Sequence, residues 1–119
     1  MGYQVFLANY TFCYDIENEK GFDVWYNDDK SKQEEEGPLV VVVDANKVPL
    51  SDIRSKNYFP EYYLSLYFKE KQKMNVPIYT FPHFGYQSLC KAYEILVDKL
   101  NIDTVITIDG GTDSLMKGI

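Results

Sequence analysis

The chain lacks the features that mark several common functional classes. It has no run of about twenty apolar residues, which a membrane-spanning helix requires. Its 12 basic residues are outnumbered by 18 acidic ones. The net charge of −6 argues against nucleic acid and anionic membranes as partners, because both need a basic surface. The glycine patterns of dinucleotide-binding and P-loop proteins are both absent, which argues against a self-sufficient dehydrogenase or nucleoside triphosphatase.

Cysteine and histidine are scarce. Cys13 and Cys90 lie far apart without metal-like spacing, so we expect two reduced, buried thiols. The first dozen residues lack a basic stretch and a cleavage site, which favours the cytoplasm over export. The single histidine, His83, follows a predicted strand and is the one candidate for general acid–base catalysis. No nucleophile or acid adjoins it, so a loop histidine between aromatic residues is the favoured interpretation.

The pattern of apolar residues predicts one α/β domain over residues 1–119. Four segments rich in β-branched and aromatic residues predict strands: Tyr3–Asn9, Leu39–Asp44, Val76–Phe81 and Thr104–Ile108. Helices are predicted from Pro60 onward and over Ser88–Leu100. This alternation favours a mostly parallel, right-handed sheet with helices packed on it. The proline in the third strand favours a place near the sheet edge.

Residues 15–37 are the one compositionally biased segment. Acidic and amide residues dominate it, so we expect a solvated loop. Trp25 and Tyr26 are predicted to attach this loop to the body of the domain. With 11 Tyr, 7 Phe and 1 Trp in the chain, a core and rim rich in tyrosine is the simplest expectation.

The end of the last predicted strand is the strongest candidate for a ligand site. The strand stops at Asp109, and a turn-forming run follows: Gly110, Gly111, Thr112, Asp113 and Ser114. Ligands of parallel α/β sheets bind beyond the carboxyl ends of the strands. The backbone N–H groups of this turn would suit a phosphate, and Asp109 and Asp113 would suit Mg²⁺ or, for Asp109, a ribose hydroxyl. A tight turn followed by a helix N-cap explains the same residues, and the sequence leaves both interpretations open.

Two further residues join the candidate ligand site. Asp44 ends the second predicted strand and would line the same crevice if that strand adjoins the last one. Asn9, with Thr11 beyond it, follows the first strand and would lie on the same rim. For Asp44 the competing interpretation, a loop residue that stabilises its own turn, is favoured about two to one.

Four segments of the chain resemble an uncharacterised family of domains with a Rossmann-like fold. They are Val5–Phe12, Tyr58–Leu64, Gly85–Leu96 and Ile108–Gly118, and the last contains the specific run Asp-Gly-Gly-Thr-Asp-Ser-Leu-Met. The resemblance implies a three-layer α/β sandwich and a site at Asp109–Ser114, but no reaction or substrate. Similar domains usually open with a strand and a glycine-rich, aspartate-containing turn, and they continue past the position of Gly118 with an acidic pair. This chain has neither, so it is expected to be an internal or shortened piece of such a domain.

Three functional hypotheses follow. The first is binding of a nucleotide or phosphorylated metabolite at the carboxyl ends of the strands. The second is a non-catalytic remnant or interaction module that self-associates through an exposed sheet edge, since an open edge is usually covered. The third is a Mg²⁺-dependent hydrolase or transferase that uses Asp109 and Asp113, a pair that lacks a nearby base or third ligand.

Overall fold

The structure, a computed structural model, describes residues 4–13, 15–32, 37–56, 58–82 and 85–108. Four strands lie in these ranges: β1 (Leu7–Tyr10), β2 (Asp23–Trp25), β3 (Val40–Val43) and β4 (Ile78–Phe81). The helices with defined bounds are α1 (Pro60–Lys71), α2 (Tyr86–Leu100) and two single 3₁₀ turns, Ile16–Asn18 and Leu50–Asp52.

The four strands form one sheet of mixed orientation, in the order β1-β4-β3-β2. β1 and β4 are parallel, whereas β3 is antiparallel to both of its neighbours, β4 and β2. The predicted Rossmann-like, mostly parallel sheet is therefore wrong. The chain is a small α/β protein in which one parallel pair is extended by an antiparallel hairpin.

Two errors about strands account for the wrong sheet prediction. The segment 104–108, predicted as the fourth strand, is exposed and belongs to no strand. The actual additional strand is β2, which lies inside the predicted loop 15–37 and pairs Val24 with Val41. The proline-containing third strand is also misplaced, because β4 lies between β1 and β3 rather than near the edge.

The sheet buries a separate core on each face. On one face, Val41, Val43 and Ile78 pack with Phe59 and Tyr62 at the start of α1. On the other face, side chains of β3 and β4 pack with the apolar stripe of α2: Val40, Val42, Tyr79, Phe81, Ala92, Ile95 and Leu96. Since both faces are covered, β3 and β4 are buried at every position, which explains the uninterrupted apolar run at 39–43.

Local signals place both α-helices. Pro60 is at the N-terminal end of α1, where its missing N–H costs nothing, and Lys69 and Lys71 lie in the last turn, where cations are favoured. α2 begins at Tyr86, two residues before the predicted start at Ser88. It ends where Asn101 adopts a left-handed conformation (φ 52°) and donates its N–H to the Val97 carbonyl.

Trp25 attaches the polar segment to the domain as predicted. Its ring lies 5.5 Å from that of Tyr79, and the Lys99 ammonium lies 5.3 Å from its centroid. Tyr26, by contrast, is exposed. The prediction of two buried thiols holds for Cys13 alone, since Cys90 lies on the exposed side of α2; both are free cysteines. In the described ranges, no helix is long and apolar enough to cross a membrane.

Burial raises the pKa of two core phenols, Tyr62 and Tyr79, above the ordinary value of 10.0. An unfolded tyrosine ionises near that value while the folded one stays neutral. Each residue therefore contributes stability that is complete below about pH 10 and is lost as the pH rises toward the folded pKa. At neutral pH, Tyr62→Phe should lower stability by about 0.5–1.5 kcal/mol, since the Tyr62 hydroxyl donates to the Val48 carbonyl at 2.6 Å.

The difference in unfolding free energy between the wild type and Tyr62→Phe should become smaller above about pH 10. Only the wild type contains the Tyr62 phenol, whose burial opposes ionisation and so destabilises the folded state at alkaline pH. Urea unfolding of both proteins at several pH values measures it. A difference that stays constant from neutral to strongly alkaline pH would contradict the assigned role of Tyr62.

Candidate functional site

A buried carboxylate occupies the carboxyl end of the parallel strand pair. Glu61, in the first turn of α1, is 3% exposed. Its Oε2 accepts a hydrogen bond from Asn9 Nδ2 at 2.7 Å, and its Oε1 accepts one from Thr11 Oγ1 at 3.2 Å. Asn9 and Thr11 were predicted to line a ligand crevice. In the structure both contact Glu61, which lies 52 positions after Asn9 in the sequence.

The polar network continues from Thr11 to Cys13. Thr11 Oγ1 accepts the backbone N–H of Cys13 at 3.1 Å, and burial raises the pKa of the Cys13 thiol. The nearby Ser55 hydroxyl opposes that rise in pKa to a smaller extent. Ser55 Oγ is itself buried and makes no hydrogen bond of regular geometry within the described part of the chain. The thiol is therefore held in its neutral, poorly nucleophilic form.

Glu61 makes this end of the sheet a poor place for an anion. A helix N-terminus beside the carboxyl ends of parallel strands ordinarily attracts phosphate. Here the first turn of α1 already carries a carboxylate, whose charge suits the positive end of the helix dipole. The Glu61 carboxylate would repel a phosphate bound here, so this end of the sheet does not suit an anionic ligand.

A cationic groove opens at the carboxyl end of β3. It has a volume of about 390 Å³ and is lined by Lys20, Gly21, Lys47, Val48, Pro49, Asp52 and Arg54. Three of these seven residues are basic, in a chain with a net charge of −6. The groove thus gathers three of the 12 basic residues around one concave surface of a size that suits a small ligand.

Two contacts hold the walls of the groove together. Both carboxylate oxygens of Glu19 accept the backbone N–H of Arg54, at 2.7 and 3.0 Å, which fixes the Arg54 backbone against the neighbouring loop. Gly21 has φ +99°, and a Cβ atom there would lie 2.8 Å from Val48 Cγ2. Only glycine suits that conformation and that close approach. The groove is therefore built by specific contacts between its two walls.

Asp44 shapes the turn that leads to the groove. Its Oδ1 accepts hydrogen bonds from the backbone N–H and the side-chain amide of Asn46, at 2.8 and 3.2 Å. Its carbonyl oxygen accepts the N–H groups of Lys47 and Val48. This is the turn-stabilising role that the sequence favoured for Asp44, and it places Lys47 at the groove. Lys47 also forms an ion pair with Asp23 at 2.7 Å, which raises the pKa of its amine and keeps it cationic.

The structure does not place Asn9 and Asp44 at the same end of the strands. Asn9 is level with Thr80 of β4, which is level with Val41 of β3. Asp44 lies three residues beyond Val41, roughly 10 Å further at about 3.3 Å per residue. Because β3 is antiparallel to β4, that distance leads to the opposite end of the sheet. The prediction that Asn9 and Asp44 line one crevice assumed parallel strands, and it is wrong because β3 is antiparallel to β4.

The remaining predicted site residues lie outside the described residues. These are His83, Asp109, Gly110, Gly111, Thr112, Asp113 and Ser114. The Mg²⁺ pair Asp109 and Asp113 and the catalytic role of His83 therefore stay predictions. In the described part of the chain, no group of three or more His, Cys, Asp or Glu side chains is arranged to hold a metal ion.

Sequence reasoning missed the basic residues of the groove. Lys20, Lys47 and Arg54 are separated along the chain and belong to no recognisable motif. Lys20 also lies in a segment in which acidic residues outnumber basic ones, so the local composition predicts negative rather than positive charge there. The one usable signal was that Arg54 is the only arginine in the chain, and arginine is the preferred side chain for bidentate anion binding.

Comparisons with models of protein families, with curated proteins and with solved structures find no match to the chain. The resemblance of its segments to a Rossmann-like family therefore stays a prediction.

Proposed function

We propose that the protein binds a small phosphorylated metabolite in the cationic groove. The observation that carries the proposal is the convergence of Lys20, Lys47 and Arg54 on one concave surface of an acidic protein. The lining holds three basic residues and one acidic residue, Asp52, and such an excess of positive charge attracts an anionic ligand. Asp23 offsets the charge of Lys47 alone. Within the lining Asp52 opposes Lys20 and Arg54, which leaves an excess of one positive charge to favour an anion.

The chemistry of the lining favours a phosphate on a small polar body over a nucleotide. Arginine offers a planar pair of donors that matches phosphate, and lysine adds a point charge. Asp52 supplies an acceptor for a ligand hydroxyl. Val48 and Pro49 are the apolar residues among those that line the groove, which include no aromatic ring on which a base would stack. A sugar phosphate or a similar metabolite is the ligand class that fits these groups.

Isothermal titration calorimetry against a panel of sugar phosphates, nucleotides and inorganic phosphate tests the proposal. We expect at least one sugar phosphate to bind the wild type more tightly than inorganic phosphate does. Arg54→Ala should weaken that binding about tenfold to a hundredfold, since loss of a charged hydrogen-bond partner costs about 1.5–3 kcal/mol. Binding should also weaken as salt is added.

Lys71→Ala is the matched control. It removes one exposed positive charge near the end of α1, outside the groove, and should leave the affinity within about twofold of wild type. Equal weakening by Arg54→Ala and Lys71→Ala would assign the binding to net charge alone and would refute the groove. Absence of binding by every anion in the panel would refute the function.

A further inference from the structure

Lys47 is the one cation of the groove that has a carboxylate partner within the described ranges. Its Nζ lies 2.7 Å from Oδ2 of Asp23, and no ion pair in those ranges involves Lys20 or Arg54. Asp23 is the first residue of β2, two positions after Gly21, which lines the groove. One short segment of the chain therefore supplies both a wall of the groove and a negative charge beside one of its cations.

Asp23 is the carboxylate that an anion meets at Lys47. The hydrogen bond from Lys47 to Asp23 is the main reason why the pKa of the Lys47 amine is raised, and the charge of Asp44 adds less. Asp44 directs its Oδ1 to Asn46 instead, at 2.8 and 3.2 Å. Asp23 alone thus holds the Lys47 ammonium directly.

The ion pair between Lys47 and Asp23 is exposed, so it is easily exchanged. The two side chains keep 49% and 58% of their surface accessible to solvent. Exposed ion pairs contribute little to stability, because water screens the charges and two side chains must be fixed. An anion in the groove can therefore take the place of Asp23 at little cost to the fold.

Asp23 opposes an anion whether or not it releases Lys47. If the anion takes the ammonium for itself, the ion pair is lost. If the ammonium, which has three donors, contacts both groups, the Asp23 carboxylate lies within about 6 Å of the anion and repels it. Both arrangements make binding weaker than the lining of the groove alone would make it.

We propose that Asp23 competes with the ligand for Lys47 and so limits the affinity of the cationic groove for anions. The inference rests on the proposed function and deepens it, since it names the residue that regulates binding at the same site. Asp23 is not among the residues that line the groove, so it acts through Lys47 as a positioning residue.

Calorimetric titration of Asp23→Asn tests the proposal, with inorganic phosphate and with the sugar phosphate that binds the wild type most tightly. The substitution removes the charge, keeps the size of the side chain and leaves the core intact, because Asp23 is exposed. We expect the dissociation constant to fall about twofold to fivefold, as loss of a competing exposed ion pair predicts.

Asp28→Asn is the matched control. It also removes one negative charge and one exposed ion pair, the 3.0 Å contact with Lys91 of α2, but neither residue lines the groove. It should change the dissociation constant by less than about 1.5-fold, because salt screens charges that lie away from the ligand.

The same pair of measurements in a Lys47→Met background identifies Lys47 as the group for which Asp23 and the anion compete. Without the ammonium, Asp23→Asn should tighten binding clearly less than it does in the wild type. A role of Asp23 in the fold alone would give the same change in both backgrounds.

The results separate this inference from the proposed function. A wild type that binds no anion refutes the groove, and the role of Asp23 with it. A wild type that binds, together with an Asp23→Asn variant that binds equally or more weakly, overturns the role of Asp23 and leaves the groove intact. An equal gain from Asp28→Asn, or an equal gain with and without Lys47, overturns it as well.

Discussion

Replacing Tyr62 by alanine should remove about 3–5 kcal/mol from the free energy of unfolding, as truncation of a large buried ring does. Tyr62 is 0% exposed and is the largest fully buried side chain among the described residues. Its ring lies 5.8 Å from that of Phe59 and 6.3 Å from that of Phe22, so its loss opens a cavity between α1 and the sheet. It also leaves the buried Val48 carbonyl without the Tyr62 hydroxyl.

Such a loss is a large share of the total stability of a small domain, about 5–15 kcal/mol. At about 4 °C per kcal/mol, where the ranges for smaller and larger domains meet, the midpoint of thermal unfolding should fall by about 12–20 °C. Circular dichroism during heating measures this shift.

Tyr63→Ala is the matched control, because Tyr63 is the next residue of α1 and is 40% exposed. Its hydroxyl makes only a long contact, 3.4 Å, with the Lys56 carbonyl. We expect it to cost less than about 1 kcal/mol. If the two alanine variants unfold at the same temperature, the assignment of Tyr62 to the core of the α1 face is wrong.

The sequence was a good guide where structure depends on neighbours along the chain. Pro60 marks the start of α1, and the apolar spacing at Leu89, Tyr93 and Leu96 predicts which stripe of α2 is buried. The error at Cys90 has the same local basis. Successive residues of a helix are about 100° apart, so Cys90 lies on the side opposite Ala92 and faces solvent.

The sheet was predicted poorly because strand pairing joins distant segments. β2 has only three residues, lies within a polar segment, and is defined by its pairing with β3 rather than by its own composition. Residues 104–108 show the converse: five β-branched residues predict a strand, but a strand needs a partner, and in the described ranges the segment pairs with none of the four strands. Orientation was inferred from the alternation of strands and helices, which the β2–β3 hairpin breaks.

The candidate sites were also predicted poorly where they depend on contacts between distant segments. Asn9 and Thr11 were predicted to line a ligand crevice. The structure shows instead that both donate hydrogen bonds to Glu61, which comes from a helix that no motif connects to them. The groove depends on a bond between Glu19 and Arg54, 35 positions apart, and on a glycine whose close neighbour is Val48. Only the folded chain shows that these residues meet.

Glu61→Leu should destabilise the protein by about 1–3 kcal/mol, although leucine is the more hydrophobic residue. The carboxylate is the acceptor for Asn9 and Thr11, and its removal leaves their donors without a partner. Asn9 is exposed and regains water, whereas Thr11 is 3% exposed and does not. The cost therefore comes mainly from the Thr11 hydroxyl. Glu70→Leu, on the exposed side of the same helix, should stay within about 0.5 kcal/mol of wild type.

A double-mutant cycle with Thr11→Val separates this explanation from a general loss of charge near the start of α1. Because removing both partners of a buried hydrogen bond is less costly than removing one, the double variant should be more stable than the sum of the single changes predicts, by about 0.5–3 kcal/mol. Thr11 also accepts the Cys13 N–H, so Thr11→Val alone carries its own cost, which the cycle subtracts. Urea unfolding of the four proteins measures the coupling. Strict additivity would mean that Glu61 acts through the helix dipole alone, and that the carboxyl end of the β1–β4 pair is not closed by this hydrogen bond.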